Sequence, residues 1–466
     1  MYRPGRKVMG MSTHTDDGVK RTRTAFLTRK VVIWASWDAG SSAFNAVITT
    51  FVFSVYLTTP QLFGESANAN LGWTTALAGV LVALAAPALG QWADRTGKTH
   101  TVLTVTTLAL VGLMGAMFFV RPSEHYVWLG LTLLAVSNFV FEVGSVIYNS
   151  MVSDISTPEN VGRVSGFGWG LGYIGSILLL VILLFGFIQP DVGLFGVTSE
   201  DAMNIRVSMV VCALWTLIFC LPLLVTSRNQ PPSGEPSRGF FGSYAELGHS
   251  IKHLWRKDRS VVWFLVSSAI YRDGLAGVFT FGGVLAGVAF GFEKNEVLLF
   301  GIAANLVAGV ATVIFGQLDD KVGPRKVIIG SLTAMCTLAL IVFLGKPAGP
   351  VVFWVFGLAL CVFVGPTQAA SRSYLARVSP PGASAEMFGL YATTGRAVSF
   401  LSSVLYSSSI TLASITSGQP KKDVAIYGIL GIIILLLVGL ATFIPVRPES
   451  STSHRSDDRI KARTSG

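Results

Sequence analysis

The chain is predicted to be an all-α integral membrane protein, with twelve transmembrane helices arranged as two pseudo-symmetric six-helix bundles. Three observations lead there. Of its 466 residues 51% are hydrophobic and 13% charged, with a mean hydropathy of +0.60, whereas a soluble domain carries about a quarter charged residues. Apolar runs of the length that crosses a hydrocarbon core of about 30 Å as a helix recur from end to end. A knot of glycine and charge, Gly90-Gln91-Trp92-Ala93-Asp94-Arg95-Thr96-Gly97-Lys98, returns 226 residues later as Gly316-Gln317-Leu318-Asp319-Asp320-Lys321-Val322-Gly323-Pro324-Arg325. That repeat marks the chain as two related halves.

Residues 1–30 form a polar, basic tail. The run from Val31 to Leu57 is too long for a signal-peptide core and is the first span. Further spans at 71–93, 101–120, 126–152, 163–188 and 206–226 complete a first bundle over 31–226. Residues 227–259 are a linker, extended or disordered through its Pro- and Ser-rich stretch at 229–237. Its 244–255 stretch fits an amphipathic helix on the inner leaflet and, equally, a short solvated helix. Spans at 260–290, 296–318, 327–345, 350–374, 386–414 and 424–445 make the second bundle, over 260–446, and residues 447–466 form a Ser-rich, charged, disordered tail. Helix is the economical structure for every span, because a lipid-facing backbone must satisfy its own hydrogen bonds. The runs lack the ten-residue length and strict alternation of barrel strands.

The net charge of +10 does not point to nucleic acid, since the basic residues sit in the short gaps between apolar runs and in the tails. Their distribution sets the orientation. The N-terminal tail, the loop after span two (Arg95, Lys98), the linker, the loop after span eight (Lys321, Arg325, Lys326) and the C-terminal tail all fall on one side. The opposite loops are richer in acid, with Lys421 and Lys422 the main exception. Both termini are therefore expected in the cytoplasm and the protein in the cell membrane. The four cysteines lie within apolar runs as small buried hydrophobes. No histidine has metal-ligand spacing or lies within a span, so neither a metal site nor a membrane-embedded enzyme is expected. The expected partners are the lipid bilayer and a small-molecule solute, the chain acting as a monomer without a cofactor, driven at most by a proton gradient.

Gly90-x-x-x-Asp94-Arg95-x-Gly97-Lys98 resembles the loop 2–3 signature of the major facilitator superfamily, and Gly316-x-x-x-Asp320-Lys321-x-Gly323-x-Arg325 resembles its loop 8–9 copy. A narrower likeness rests on Trp37-Asp38-Ala39-Gly40-Ser41-Ser42 in span one, Phe141-Glu142-Val143 with Tyr148-Asn149 in span four, and Tyr271-Arg272-Asp273-Gly274 in span seven. These resemble the branch that includes the yeast vacuolar amino-acid effluxer and its bacterial relatives. The resemblance implies a secondary transporter working by alternating access, with amino acids as an implied cargo. It also implies that the two knots clamp the cytoplasmic side while the protein faces outward, and that spans one, four, seven and ten line the cavity.

The residues themselves allow that chemistry. Asp94 is placed to accept from the N-terminal amides of a neighbouring helix, a favourable seat for an anion. Gly90 permits close helix approach. The plainer alternative is a basic loop that only sets topology. Charges within spans are costly at mid-bilayer, about 2.5–3.5 kcal/mol on insertion scales, and so tend to face a cavity and to have a role. They are Asp38, Glu142, Arg272, Asp273 and Arg396. The acids are candidates for binding or proton coupling, and the arginines for anchoring a solute or pairing with the acids. A structural ion pair between Asp273 and Arg396 is the competing reading. Asn45, Tyr148, Asn149 and Gln368 are weaker candidates for hydrogen bonds to a solute. Span five carries Gly166, Gly168, Gly170, Gly172 and Gly175, which suit close packing but lack the proline of the superfamily's antiporter signature. Sugars, drugs or amphiphiles remain alternative cargoes, and a receptor or scaffold that keeps the fold without transporting is the rival class.

Overall fold

A computed structural model describes residues 27–229 and 259–447, with 252, 255 and 256 between them. Twelve helices in it are long and apolar enough to cross a membrane. They are α1 (Arg29–Leu57), α2 (Ala67–Thr96), α3 (Thr99–Phe119), α4 (Glu124–Ile155), α5 (Val161–Ile188), α6 (Glu200–Thr226), α7 (Arg259–Phe290), α8 (Asn295–Val322), α9 (Pro324–Leu344), α10 (Pro350–Val378), α11 (Ser384–Ser417) and α12 (Ala425–Phe443). The helices overrun several of the expected spans, as α2 does at both ends, because hydropathy stops at the membrane boundary while the hydrogen-bond ladder continues. In the two repeated loops it stops at glycine: Gly97 at φ +67° ends α2, and Gly323 at φ +88° separates α8 from α9. The expectations for residues 1–26, for most of the linker including the helix at 244–255, and for the tail from 448 lie outside the described residues.

The even number of spans puts Leu27, Arg447, loop 2–3 and loop 8–9 on one side, here called the tail side. There the halves meet along two seams, α5 against α8 and α2 against α11. Glycines make these seams close. A methyl group at Gly90 would sit 2.3 Å from the Ala385 carbonyl oxygen, and one at Gly316 would sit 2.8 Å from that of Gly162. A methyl at Gly166 would meet the Thr312 oxygen at 2.6 Å, and one at Gly389 the Ala86 oxygen at 2.8 Å. Each pair is one contact made twice by the repeat, the structural form of a pseudo-twofold between the bundles. The span-five glycines divide their work. Gly166 and Gly170 face α8 across the seam, while Gly168, Gly172 and Gly175 face α1.

On the far side the halves part. The outer portion of α11, Leu401–Ser417, packs chiefly on α12 and α7 of its own half. Two backbone irregularities, at Asn45 and Ser399, border the space this leaves. Helix α1 widens into π-helical turns over Phe44–Phe51, and α11 is interrupted between Val398 and Leu401. Irregular backbone at membrane depth is tolerated where it borders a cavity.

Candidate functional site

Between the bundles lies a cavity of about 400 Å³, within the range of small-molecule sites. It borders on Asp38 and Asn45 of α1, Glu142, Tyr148 and Asn149 of α4, Arg272 and Asp273 of α7, Gln368 of α10 and Arg396 of α11. All nine solute- or proton-site candidates from the sequence thus share one space, and their partners differ sharply.

Glu142 and Arg396 form an ion pair that joins α4 of the first half to α11 of the second, with Arg396 also 3.4 Å from Asn138 Oδ1. Both side chains keep about a quarter of their surface, 23% and 24%, so the pair is wetted by the cavity. The competing reading, an ion pair between Asp273 and Arg396, is not what forms. Asp273 instead accepts from Ser402 N at 2.6 Å and Ser402 Oγ at 3.1 Å. Ser402 begins the helical segment that follows the break in α11, so the carboxylate caps a helix start whose amides have no partner of their own. Asp273 is buried there, 6% exposed.

Arg272 turns from its neighbour Asp273. It donates to the Tyr391 carbonyl at 2.9 Å, and its guanidinium carbon lies 3.6 Å from the centroid of the Tyr391 ring. Among the described residues no carboxylate bonds to it. Gly395 makes room, since a methyl there would lie 3.0 Å from Arg272 Nη2. Arg272 therefore presents a cation to the cavity without an internal counter-charge in contact. Asn45 stands exposed at the start of the π-helical turns, and Gln368 is half-buried.

Asp38 sits nearer the tail side, and its partner is a residue the sequence reading passed over. Arg372 of α10, only 2% exposed, donates to Asp38 Oδ2 at 3.2 Å and to Asn149 Oδ1 at 2.9 Å. It also donates to Ser165 Oγ at 2.9 Å and Ser165 O at 2.6 Å. Tyr148 OH donates to the same Asp38 oxygen at 3.1 Å. Trp34 and Trp37 stack on Tyr148, with centroids 4.7 and 4.2 Å away, and hold the group rigid. Arg372 lies at i+4 from Gln368, on the same face of a helix. That spacing was the available signal, masked by the Ser- and Arg-rich end of the span, which reads as a loop margin.

Beneath the cavity are the two knots. In the first, Asp94 Oδ2 accepts from Glu386 N at 2.9 Å, at the N-terminal turn of α11. In the second, Asp320 accepts from Gly162 N at 2.7 Å, Arg163 N at 3.2 Å and Arg163 Nε at 2.7 Å, at the N-terminal turn of α5. The two aspartates occupy equivalent seats, but the second is reinforced. Arg377 bridges Asp319 at 2.8 Å and Asp320 at 3.3 Å, and Ser373 bonds to Asp319. Neither Arg163, Arg377 nor Asp319 stood among the candidates. Lys98 and Lys321 are exposed, with Lys98 Nζ 5.8 Å from the Trp92 ring, and Arg95 is half-buried at the end of α2. Arg325 departs from the expected clamp. It donates to Val446 O and Ile444 O, both at 2.7 Å, and so ties loop 8–9 to the end of α12 within its own half.

Comparisons with known proteins agree with this architecture. The family described as "Vacuole effluxer Atg22 like" matches residues 152–454, and "Major Facilitator Superfamily" matches residues 9–180. The chain is 26% identical over 436 residues to "Uncharacterized MFS-type transporter YxiO" of Bacillus subtilis (strain 168), covering 92% of this chain and 98% of that protein. It is 26% identical over 268 residues to "Autophagy-related protein 22-1" of Neosartorya fischeri, covering 50% of this chain and 41% of that protein, so it spans about two fifths of such fungal relatives. Among solved structures, the proton:xylose symporter XylE matches with a TM-score of 0.67 at 16% identity over 90% of this chain and 95% of its own. A bacterial homologue of the iron transporter ferroportin in its outward-facing state matches with 0.63 at 15% identity over 92% and 100%. FucP in the outward conformation matches with 0.64 at 11% identity over 90% and 99%. At these identities the likeness to solved structures concerns the fold.

Proposed function

Since the chain belongs to the Atg22-like vacuole-effluxer family of the major facilitator superfamily, and is thus a membrane transporter, we propose that it exports a small charged solute, of the size and polarity of an amino acid, by alternating access. The observation that carries this reading is the pair of ion bridges across the halves, Glu142–Arg396 and Asp38–Arg372, which border one cavity closed on the tail side. Rocking of one bundle against the other about a central site is the common way such repeats work. Those bridges must break as the tail side opens, so a species that neutralises or replaces one partner changes the balance between the two states.

With the tail side in the cytoplasm, as the basic loops favour, the described conformation faces outward. Arg272 is the proposed anchor for an anionic group, because among the described residues its charge meets no carboxylate. Asp38 and Glu142 are the proposed acids for binding or for coupling to a proton gradient, and Asp273 holds the broken helix α11 together. The knots at Gly90, Asp94, Gly97, Gly316, Asp320 and Gly323 act as the tail-side gate.

The test is a thermal-stability screen of the purified protein against amino acids, sugars and amphiphilic cations, followed by flux in liposomes. Stabilisation by amino acids that disappears in Glu142→Gln supports the reading. Stabilisation by sugars or amphiphiles alone replaces the cargo, and flux that ignores a pH gradient removes proton coupling.

A further inference from the structure

Arg372 belongs to the second half, yet the groups that bind its guanidinium all belong to the first. Its guanidinium carbon lies 4.8 Å from the ring of Trp34, 5.6 Å from that of Trp169 and 5.9 Å from that of Tyr148. The Asp38 carboxylate, the Asn149 amide oxygen and the Ser165 carbonyl complete the shell at 3.2, 2.9 and 2.6 Å. Aromatic faces around a carboxylate and neutral oxygen acceptors are the chemistry that recognises an organic cation. The first half thus carries a cation cage on α1, α4 and α5, and a side chain of the other half fills it.

The cage lies towards the tail side of the cavity. Arg372 reaches it from α10, which moves with the second half. When the tail side opens and the bundles part there, Arg372 withdraws and the cage faces the newly opened side. Asp38 is then left without its counter-charge at membrane depth, an arrangement that is strongly disfavoured. Something positive must take the place that Arg372 leaves.

We infer that the Trp34–Tyr148–Trp169 cage is a binding site for the ammonium group of the transported solute, and that Arg372 is a tethered competitor for it. This rests on the reading of the protein as an alternating-access exporter. In the tail-open state the solute's ammonium group pairs with Asp38. On closure Arg372 returns to the cage and displaces the solute into the cavity that opens on the far side. Asp38 stays paired in both states, so no unpaired carboxylate is buried at either end of the cycle. Trp169 lines the same cavity, and its indole Nε1 is buried and has no hydrogen-bond partner among the described residues. It supplies a donor for an oxygen on the same solute, which favours amines that also carry a carboxylate or hydroxyl.

The experiment measures binding rather than flux. Full-length wild type and Arg372→Gln are placed in lipid nanodiscs and titrated calorimetrically with butylammonium chloride, with butanol as the neutral control. Vacating the cage removes the competition, so Arg372→Gln is expected to bind butylammonium at least ~10-fold more tightly than wild type. Adding Asp38→Asn or Trp169→Leu should abolish the gain. If Arg372→Gln does not fold, Ser165→Ala, which removes one hydroxyl partner of Arg372, should give a smaller gain of the same sign. A folded Arg372→Gln that binds no better overturns the proposal. So does one that gains equally for butanol, or one whose gain survives Asp38→Asn. A proton uptake on Arg372 removal without ammonium binding also overturns it, because a proton then serves as the replacing charge. Ammonium binding in Arg372→Gln alongside a wild type that moves no solute would sink the transport reading and leave the cage standing.

Discussion

Replacing Asp320 with asparagine should open the tail-side gate. The carboxylate, 5% exposed, accepts from Gly162 N at 2.7 Å and Arg377 Nη2 at 3.3 Å through one oxygen. Through the other it accepts from Arg163 N at 3.2 Å and Arg163 Nε at 2.7 Å. A carboxamide keeps one oxygen and turns an N–H₂ towards donors on the other side, so the Arg163 contacts are lost and the contacts from Gly162 N and Arg377 Nη2 are left with an uncharged acceptor. Bonds to charged groups contribute about 1.5–3 kcal/mol each, so the loss comes to about 2–4 kcal/mol once the surviving contacts are discounted. The contacts to α5 exist only while α5 and α8 are together, so the cost falls on the tail-closed state alone. At 1.4 kcal/mol per decade the equilibrium moves by roughly 30- to 700-fold towards the tail-open state. Spin labels at Thr157 and Lys321, both exposed on the tail side of opposite halves, should report a longer distance in Asp320→Asn than in the parent. The four native cysteines are buried and leave the labelling chemistry to the introduced pair. An unchanged distance distribution would refute the assignment of this cluster to the gate.

Other predictions follow the same logic. Asp94→Asn keeps an oxygen for Glu386 N and loses only the favourable charge at a helix start, so its shift should stay below about 1 kcal/mol; a shift as large as that of Asp320→Asn, read from labels on the α2–α11 seam, contradicts the unequal clamps. Gly90→Val places its Cβ 2.3 Å from a backbone oxygen and should disfavour the closed seam by about 1–3 kcal/mol, visible as faster labelling of an Asn149→Cys thiol from the tail side. Asp273→Ala removes the cap on the second segment of α11 and should lower stability by about 0.5–2 kcal/mol while the pH dependence of flux stays the same; a flux that loses its pH dependence would return Asp273 to the coupling acids.

The fold was legible because two signals that do not depend on tertiary contact agree. Hydropathy counts the spans, and the Gly90 and Gly316 knots declare the repeat. The cavity residues were legible for a related reason, since Asp38, Glu142, Arg272, Asp273 and Arg396 are too costly in lipid to stand anywhere but around a polar space. Their partners were not legible. The hydrogen bond from Asp273 to Ser402 depends on a break in α11 that hydropathy does not register. Arg396 reaches Glu142 across 254 residues of sequence, and no spacing rule bridges that distance. Arg372 was hidden by position. A buried arginine one turn from a basic helix end looks like an ordinary inner-leaflet residue until the facing half supplies Asp38, Asn149 and Ser165. Arg325 shows the converse, a residue whose place in a repeated motif suggested a clamp while its guanidinium serves the carbonyls at the end of α12.

The most direct test of the central claim, that paired bundles carry a charged solute past the ion bridges of this cavity, is counterflow in proteoliposomes preloaded with unlabelled amino acid. Labelled amino acid should accumulate transiently with the wild type and fall to the level of empty liposomes with Glu142→Gln. Accumulation that Glu142→Gln leaves intact, or none above empty liposomes for any amino acid, would contradict it.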